Sequence, residues 1–363
     1  MRRLLALMFG SLRLGLAALL VFLCWQDHPA AVAAAQFESL PSYDFAAQAR
    51  TLLGQERYSE ALLVIDAGVT ADPAQAAQLG LIRTEVETER DRLLRRVEDA
   101  GRGALTGRGD SAESLAGAVT ADLFVFGDVR DLVIPSGNAL TGEDVDEVIV
   151  ALSAAGIVLT VAPQLDLGAA LLKFARRAGA LTARLARELM DLARAAVRER
   201  SAAPLAEALG DAASLGRSAR PAAAMAILHN VDDVSDLRRA AQAARQPGGA
   251  FALWLGGRDS LAWLRASGPA GEALLVRAAG KGPAGIAFIG RKGALLLQVH
   301  PLLGVAKGLY KGNVPALVSR LFEPRSRQLL LAASAVWLVL ELFLLAVLLA
   351  PRGRRRVRPE AAR

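Results

Sequence analysis

The chain has 363 residues and a formal charge of +7, but the excess sits at the ends. Residues 1–35 carry +2, residues 351–363 carry +5 and residues 36–350 are neutral, so no domain-wide basic footprint for nucleic acid remains. The single cysteine, Cys24, lies in the N-terminal apolar stretch, which excludes disulfides and thiolate metal sites from the rest of the chain.

In chain order, Arg2, Arg3 and Arg13 come first, before the apolar run "LGLAALLVFLCW" at residues 14–25. Ala33 and Ala35 then stand at the A-x-A spacing. This is the layout of a secretory signal peptide, residues 1–35, cleaved after Ala35; left uncleaved, it is an N-terminal anchor over Leu4–Trp25. Leu23 stands where a lipoprotein signal needs a small residue before its cysteine, which argues against lipidation of Cys24. Either layout places residues 36–328 outside the cytoplasm. The richness in Ala, Arg, Gly and Leu with little Lys suggests a bacterium with a GC-rich genome, and hence a periplasmic compartment.

Residues 36–100 read as a helical hairpin and a charged helix. In "YDFAAQARTLLGQERYSEALLVIDAGVTADP", residues 43–73, Phe45, Ala49 and Leu52 line one helix; Tyr58, Ala61, Ile65 and Gly68 line a second, and Pro73 closes it. The stretch "ERYSEALLVIDAGVTADP" resembles the second half of a tetratricopeptide repeat. Gln48 departs from that pattern, and the next 34 residues do not repeat it; a charged helix from about Gln75 to Glu98 takes their place. A single copy cannot bury its own apolar face. The resemblance implies a helical interaction module, with Tyr58 as a candidate partner-binding residue, and implies no activity.

Residues 101–246 form the next segment. "AGRGALTGRGDSAESLAG", residues 100–117, is a polar glycine-rich loop; Asp110 after Gly109 would repel a phosphate, so it is no P-loop. Residues 121–138 contain β-prone runs broken by Pro135 and Gly137. Glu143, Asp144, Asp146 and Glu147 suit a helix N-terminus. The uncharged run Val148–Leu165 reads as a buried helix, with membrane insertion as the alternative. From Ala169 to Arg200, Phe174, Ala178, Leu181, Leu185, Leu189, Leu192 and Ala196 step by three and four, which predicts one amphipathic helix of about eight turns. Shorter helices are expected around Leu205–Leu215, Ala222–His229 and Ser235–Arg245. His229 with Asp232, Asp233 and Asp236 is the only acid–histidine cluster, and a helix end leading into an N-cap accounts for it.

Residues 247–328 are punctuated by glycine into apolar blocks of about ten residues, read as short stacked helices with a strand as the alternative at Ala250–Leu255. Trp254 and Trp263 suit the core, or a surface facing a partner or membrane. Residues 300–322 read as an interfacial helix, where Lys307 and Lys311 would reach anionic lipid headgroups and Tyr310 the aromatic belt.

The run Leu329–Ala350 has 22 residues and spans ~33 Å at ~1.5 Å per residue, enough for a transmembrane helix. The basic tail, residues 351–363, favours the cytoplasmic side. Glu341 lies near the middle of the span, where an ionised carboxylate costs ~3 kcal/mol or more. Either the surrounding apolar residues simply carry it, or it marks a helix–helix contact, with a second copy or with a membrane partner.

The expected protein is mainly α: an exported multi-helix domain with a tetratricopeptide-like hairpin, plus one C-terminal transmembrane helix. Residues 36–159 carry −11 and residues 160–328 carry +12, so the membrane-proximal half is the basic one. No catalytic, cofactor or metal motif is present: no His-x-x-x-His, His-Glu-x-x-His, Gly-x-Ser-x-Gly or dinucleotide fingerprint. The expected work is scaffolding or protein interaction in the inner membrane and periplasm, with other envelope or membrane proteins, itself and anionic headgroups as partners, and without nucleic acid. The alternative is a membrane-active protein using residues 148–165 and 283–322.

Overall fold

A computed structural model describes residues 2–105, 163–199, 203–298 and 324–349. Among these residues the protein is mainly helical and has no strand. The chain divides into two compact units, one of residues 1–39 with 294–363 and one of residues 40–293. The expectations for residues 106–162, which hold the β-prone runs and most of Val148–Leu165, lie outside the described residues. So do those for 300–322 and for the basic tail.

The larger unit opens on two packed helices. Helix α1 (Arg2–Glu38) belongs to the other unit; α2 is Phe45–Gly54 and α3 is Tyr58–Ala71. Asp44 caps α2 by accepting the Ala47 N–H at 2.9 Å. Between the helices Glu56 takes φ +60, and the Arg57 N–H closes the turn on Leu52 O at 2.9 Å. Phe45, Ala49 and Leu52 of α2 and Ala61, Ile65 and Gly68 of α3 are buried, and the two helices pack against each other. Helix α4, Ala76–Leu105, covers the hairpin with Leu79, Ile82 and Val86. Gly68 is needed at this crossing, since a Cβ there would come within 2.7 Å of both Phe45 and Leu79.

Among the described residues the rest of the unit is built mainly from α5 (Pro163–Arg177), α6 (Ala183–Glu199), α7 (Ala203–Ala219), α8 (Pro221–Leu228), α9 (Val234–Ala244), α10 (Gly249–Ser267), α11 (Glu272–Ala279) and α12 (Gly282–Leu296). Helices α8 and α10 also contact α3, so the hairpin is covered on more than one side. The lone helical pair thus gets the neighbours it needs from unlike helices.

The single helix expected over Ala169–Arg200 is two helices. Gly179 takes φ +69, which an L side chain adopts with difficulty. Its N–H bonds Arg176 O at 3.2 Å and the Ala180 N–H bonds Ala175 O at 2.8 Å, the paired closure of a Schellman motif. Thr182 then caps α6, accepting the Leu185 N–H at 3.3 Å while donating to Val231 O at 2.8 Å. The three–four spacing continues across the break because both helices bury one stripe.

The strand considered at Ala250–Leu255 is helical, part of α10. That helix bends at Gly257, where φ is +49 and ψ −120, and Ser260 Oγ bridges the bend to Ala252 O at 2.7 Å. Ile286, Phe288, Ile289 and Gly293 of α12 are buried, so the start of the 283–322 stretch belongs to the folded interior. In the acid–histidine cluster, Asp233 caps α9 through the Asp236 N–H at 2.8 Å. Burial raises the Asp233 carboxyl, but Ser235, that N–H, Arg184 and Arg239 outweigh it and hold the carboxyl below its usual value. Asp236 is fully buried between Arg239 and Arg265.

The smaller unit contains α1 and α13 (Pro324–Leu349), which contact each other along their length. Both are long and apolar enough to cross a membrane by length and composition: residues Ala6–Glu38 of α1 and Gln328–Leu349 of α13.

Candidate functional site

The charged residue at the middle of α13 has a partner within its own chain. Arg13 of α1 donates to Glu341 Oε2 through Nη2 at 2.8 Å and through Nε at 3.2 Å. Trp337, one turn earlier on α13, donates its indole N–H to Oε1 at 3.0 Å. Both carboxylate oxygens are therefore engaged. The Glu341 side chain is 7% exposed and that of Arg13 52%.

Sequence spacing explains why these two helices meet. On α1, Gly10, Ala17, Cys24 and Ala31 recur every seven residues, and all four are buried. Arg13 and Asp27 occupy the intervening seam positions three residues on. On α13, Ser334 and Glu341 are buried seven residues apart, with Leu331, Leu338 and Leu345 partly covered between and beyond them. A seven-residue repeat keeps one seam facing a partner helix. A Cβ on Gly10 would touch Leu345 at 3.6 Å, Arg13 meets Glu341, and the Cys24 thiol lies within hydrogen-bonding reach of Ser334. The numbers fall on one helix as they rise on the other, so the helices are antiparallel.

The pair's outer faces are large and apolar. Met8, Phe9, Leu12, Leu16, Leu19 and Phe22 are exposed on α1, and Val336, Leu340, Phe343 and Val347 on α13. Small and polar residues face inward, large apolar ones outward. This is the arrangement that suits a hydrocarbon surrounding, where small residues let helices approach and polar groups pair internally.

The other residues singled out in the sequence are elsewhere. Tyr58 is buried at the start of α3. The Trp254 indole donates to Glu60 Oε1 at 2.8 Å, and Glu60 also accepts from Arg57, so the tryptophan ties α10 to the hairpin. Trp263 is buried and donates to Gly271 O at 3.0 Å. Glu341 shares no site with these three. Arg13 does not stand out in the sequence, because with Arg2 and Arg3 it passes for the basic flank of an export signal. The seven-residue spacing of small residues around it is the signal that could have found it.

Among the described residues no three His, Cys, Asp or Glu side chains come together as a metal ion requires. A polar cleft of about 390 Å³ lies between α5, α7 and α9, lined by Glu207, Asp211, Arg217, Arg238, Gln242 and Arg245. Burial raises the Asp211 carboxyl above its usual value despite Arg238 and Arg245 nearby. Comparison with known proteins found no matching family model, curated protein or solved structure.

Proposed function

We propose that the protein is a bacterial inner-membrane protein anchored by two helices, α1 and α13, and that residues 40–293 are a periplasmic helical module acting as a scaffold or in protein interaction. The observation that carries the anchor is the Arg13–Glu341 pair. An arginine and a glutamate inside apolar helices are each costly in a bilayer, and pairing offsets much of that cost. On this reading the N-terminal segment stays attached, because cleavage after Ala35 would remove Arg13 and leave Glu341 unpaired. The antiparallel pair also brings the start of α1 and the close of α13 to one end, and the sequence is basic beside both, in keeping with the preference of basic flanks for the cytoplasm.

The interaction role is supported by the tetratricopeptide resemblance of residues 43–73. The hairpin is covered by α4, α8 and α10. Partners would therefore meet the outer faces of this assembly rather than the apolar faces of α2 and α3.

The test is the mass of the protein extracted from membranes, with reporter fusions. The intact N-terminus is expected, and a periplasm-dependent reporter is expected to be active after Phe322 and silent after Arg363. A chain starting at Gln36, or the reversed reporter pattern, contradicts the anchor.

A further inference from the structure

We propose that the exposed edge of Arg13 binds the phosphate of a phospholipid headgroup from the leaflet nearest the start of α1 and the close of α13. This rests on the two-helix anchor proposed above.

Arg13 gives Glu341 its Nε–H and one Nη2–H. Its Nη1 hydrogens and the other on Nη2 meet no acceptor among the described residues, and the side chain is half exposed. In water such donors would be solvated. In hydrocarbon a guanidinium edge without acceptors is costly, and it draws in whatever oxygen the bilayer can supply.

The position along the helices says which oxygen that is. Eight residues separate Glu341 from Leu349, about 12 Å at ~1.5 Å per residue, and ten separate Arg3 from Arg13, about 15 Å. In the antiparallel pair both distances run to the same face. Helical side chains lean toward the N-terminus of their helix, so Arg13 leans toward that face and its headgroups. The planar guanidinium matches a phosphate by parallel N–H donors.

A third transmembrane helix is the less suitable occupant. Phe9 and Leu16, one turn before and one after Arg13, are 65% and 52% exposed. Such large side chains hold another backbone away, whereas lipid chains fit around them.

The experiment uses the full chain in a maltoside detergent doped with phosphatidylglycerol, the only phosphate-bearing lipid present, with retained lipid counted by native mass spectrometry. Arg13→Leu alone leaves Glu341 unpaired, so the decisive variant is Arg13→Leu with Glu341→Leu, which closes the seam with apolar residues. It is expected to retain phosphatidylglycerol roughly tenfold less well, the scale of a charge-assisted hydrogen bond. Glu341→Leu alone is expected to keep the lipid. Millimolar inorganic phosphate is expected not to displace it.

Equal retention by the double variant overturns the proposal. Displacement by inorganic phosphate overturns it in favour of a soluble anion, and an Arg13-dependent protein dimer overturns it in favour of a second copy. A protein mass lacking residues 1–35 contradicts the anchor itself and is read in the same spectrum.

Discussion

Glu341 is tolerated in α13 because its two oxygens are taken by different donors, Arg13 and Trp337. Removing one member of such a pair costs more than the pair contributes, since the other charge stays behind unsatisfied. Arg13→Leu is therefore expected to weaken the α1–α13 association by about 3–5 kcal/mol. The double replacement Arg13→Leu with Glu341→Leu is expected to recover most of that loss. A double-mutant cycle on helix association in detergent measures both; a double variant as weak as the single would mean the charges do not interact.

A second charged residue, Asp211, gives a prediction of the opposite kind. Its folded pKa is raised, chiefly by burial. Such a group contributes stability that is full below the unfolded carboxylate value, about 4, and is lost as pH rises through the folded value. Asp211→Asn is thus expected to raise the melting temperature at pH 7, with the difference closing as pH falls toward 4. Melting curves of both proteins across that range check the sign. A variant that melts lower at pH 7 would mean that Arg238 and Arg245 depend on the carboxylate.

The helices are legible in the sequence where one rule acts alone. The hairpin follows from apolar spacing and from Asp-Pro after the second helix. Helices α7, α8 and α9 lie close to their expected bounds. The break between α5 and α6 is hidden, although Gly179 and Thr182 are a stop and a start three residues apart. A periodic stripe dominates that stretch, and its period survives the break. The seam on α1 is hidden for a related reason. An export signal is recognised by charge, apolar length and cleavage site, and none of those asks which face Gly10, Ala17 and Cys24 share. The partner of Glu341 lies 328 residues away in the chain, a distance over which spacing within one helix says nothing.

At the same scale, Ala61 tests the hairpin. It is fully buried on α3, which packs against α2. Ala61→Leu overpacks that crossing, at a cost of about 1–3 kcal/mol. A lower melting temperature for the helical unit is expected by circular dichroism, with unchanged helix content at low temperature. An unchanged melting temperature would mean that the crossing has spare room.

For the whole molecule, the two units differ in which side chains they bury. The described residues of 40–293 bury their large apolar side chains, and among them only Val69 and Leu81 are notably exposed. The α1–α13 pair does the reverse, with small and polar residues inside and large apolar ones outside. That inversion suits a change of solvent from water to hydrocarbon, and the two-helix anchor proposed above depends on α1 remaining part of the protein. Cys24 makes this directly measurable, because it is the only cysteine and it neighbours Ser334. With Ser334→Cys, mild oxidation of isolated membranes is expected to give an intrachain disulfide that links residues 24 and 334 in the full-length protein, seen as a peptide crosslink by mass spectrometry. A mature chain without residue 24, or a Cys24 that stays free beside Cys-substituted position 334, would contradict the two-helix anchor.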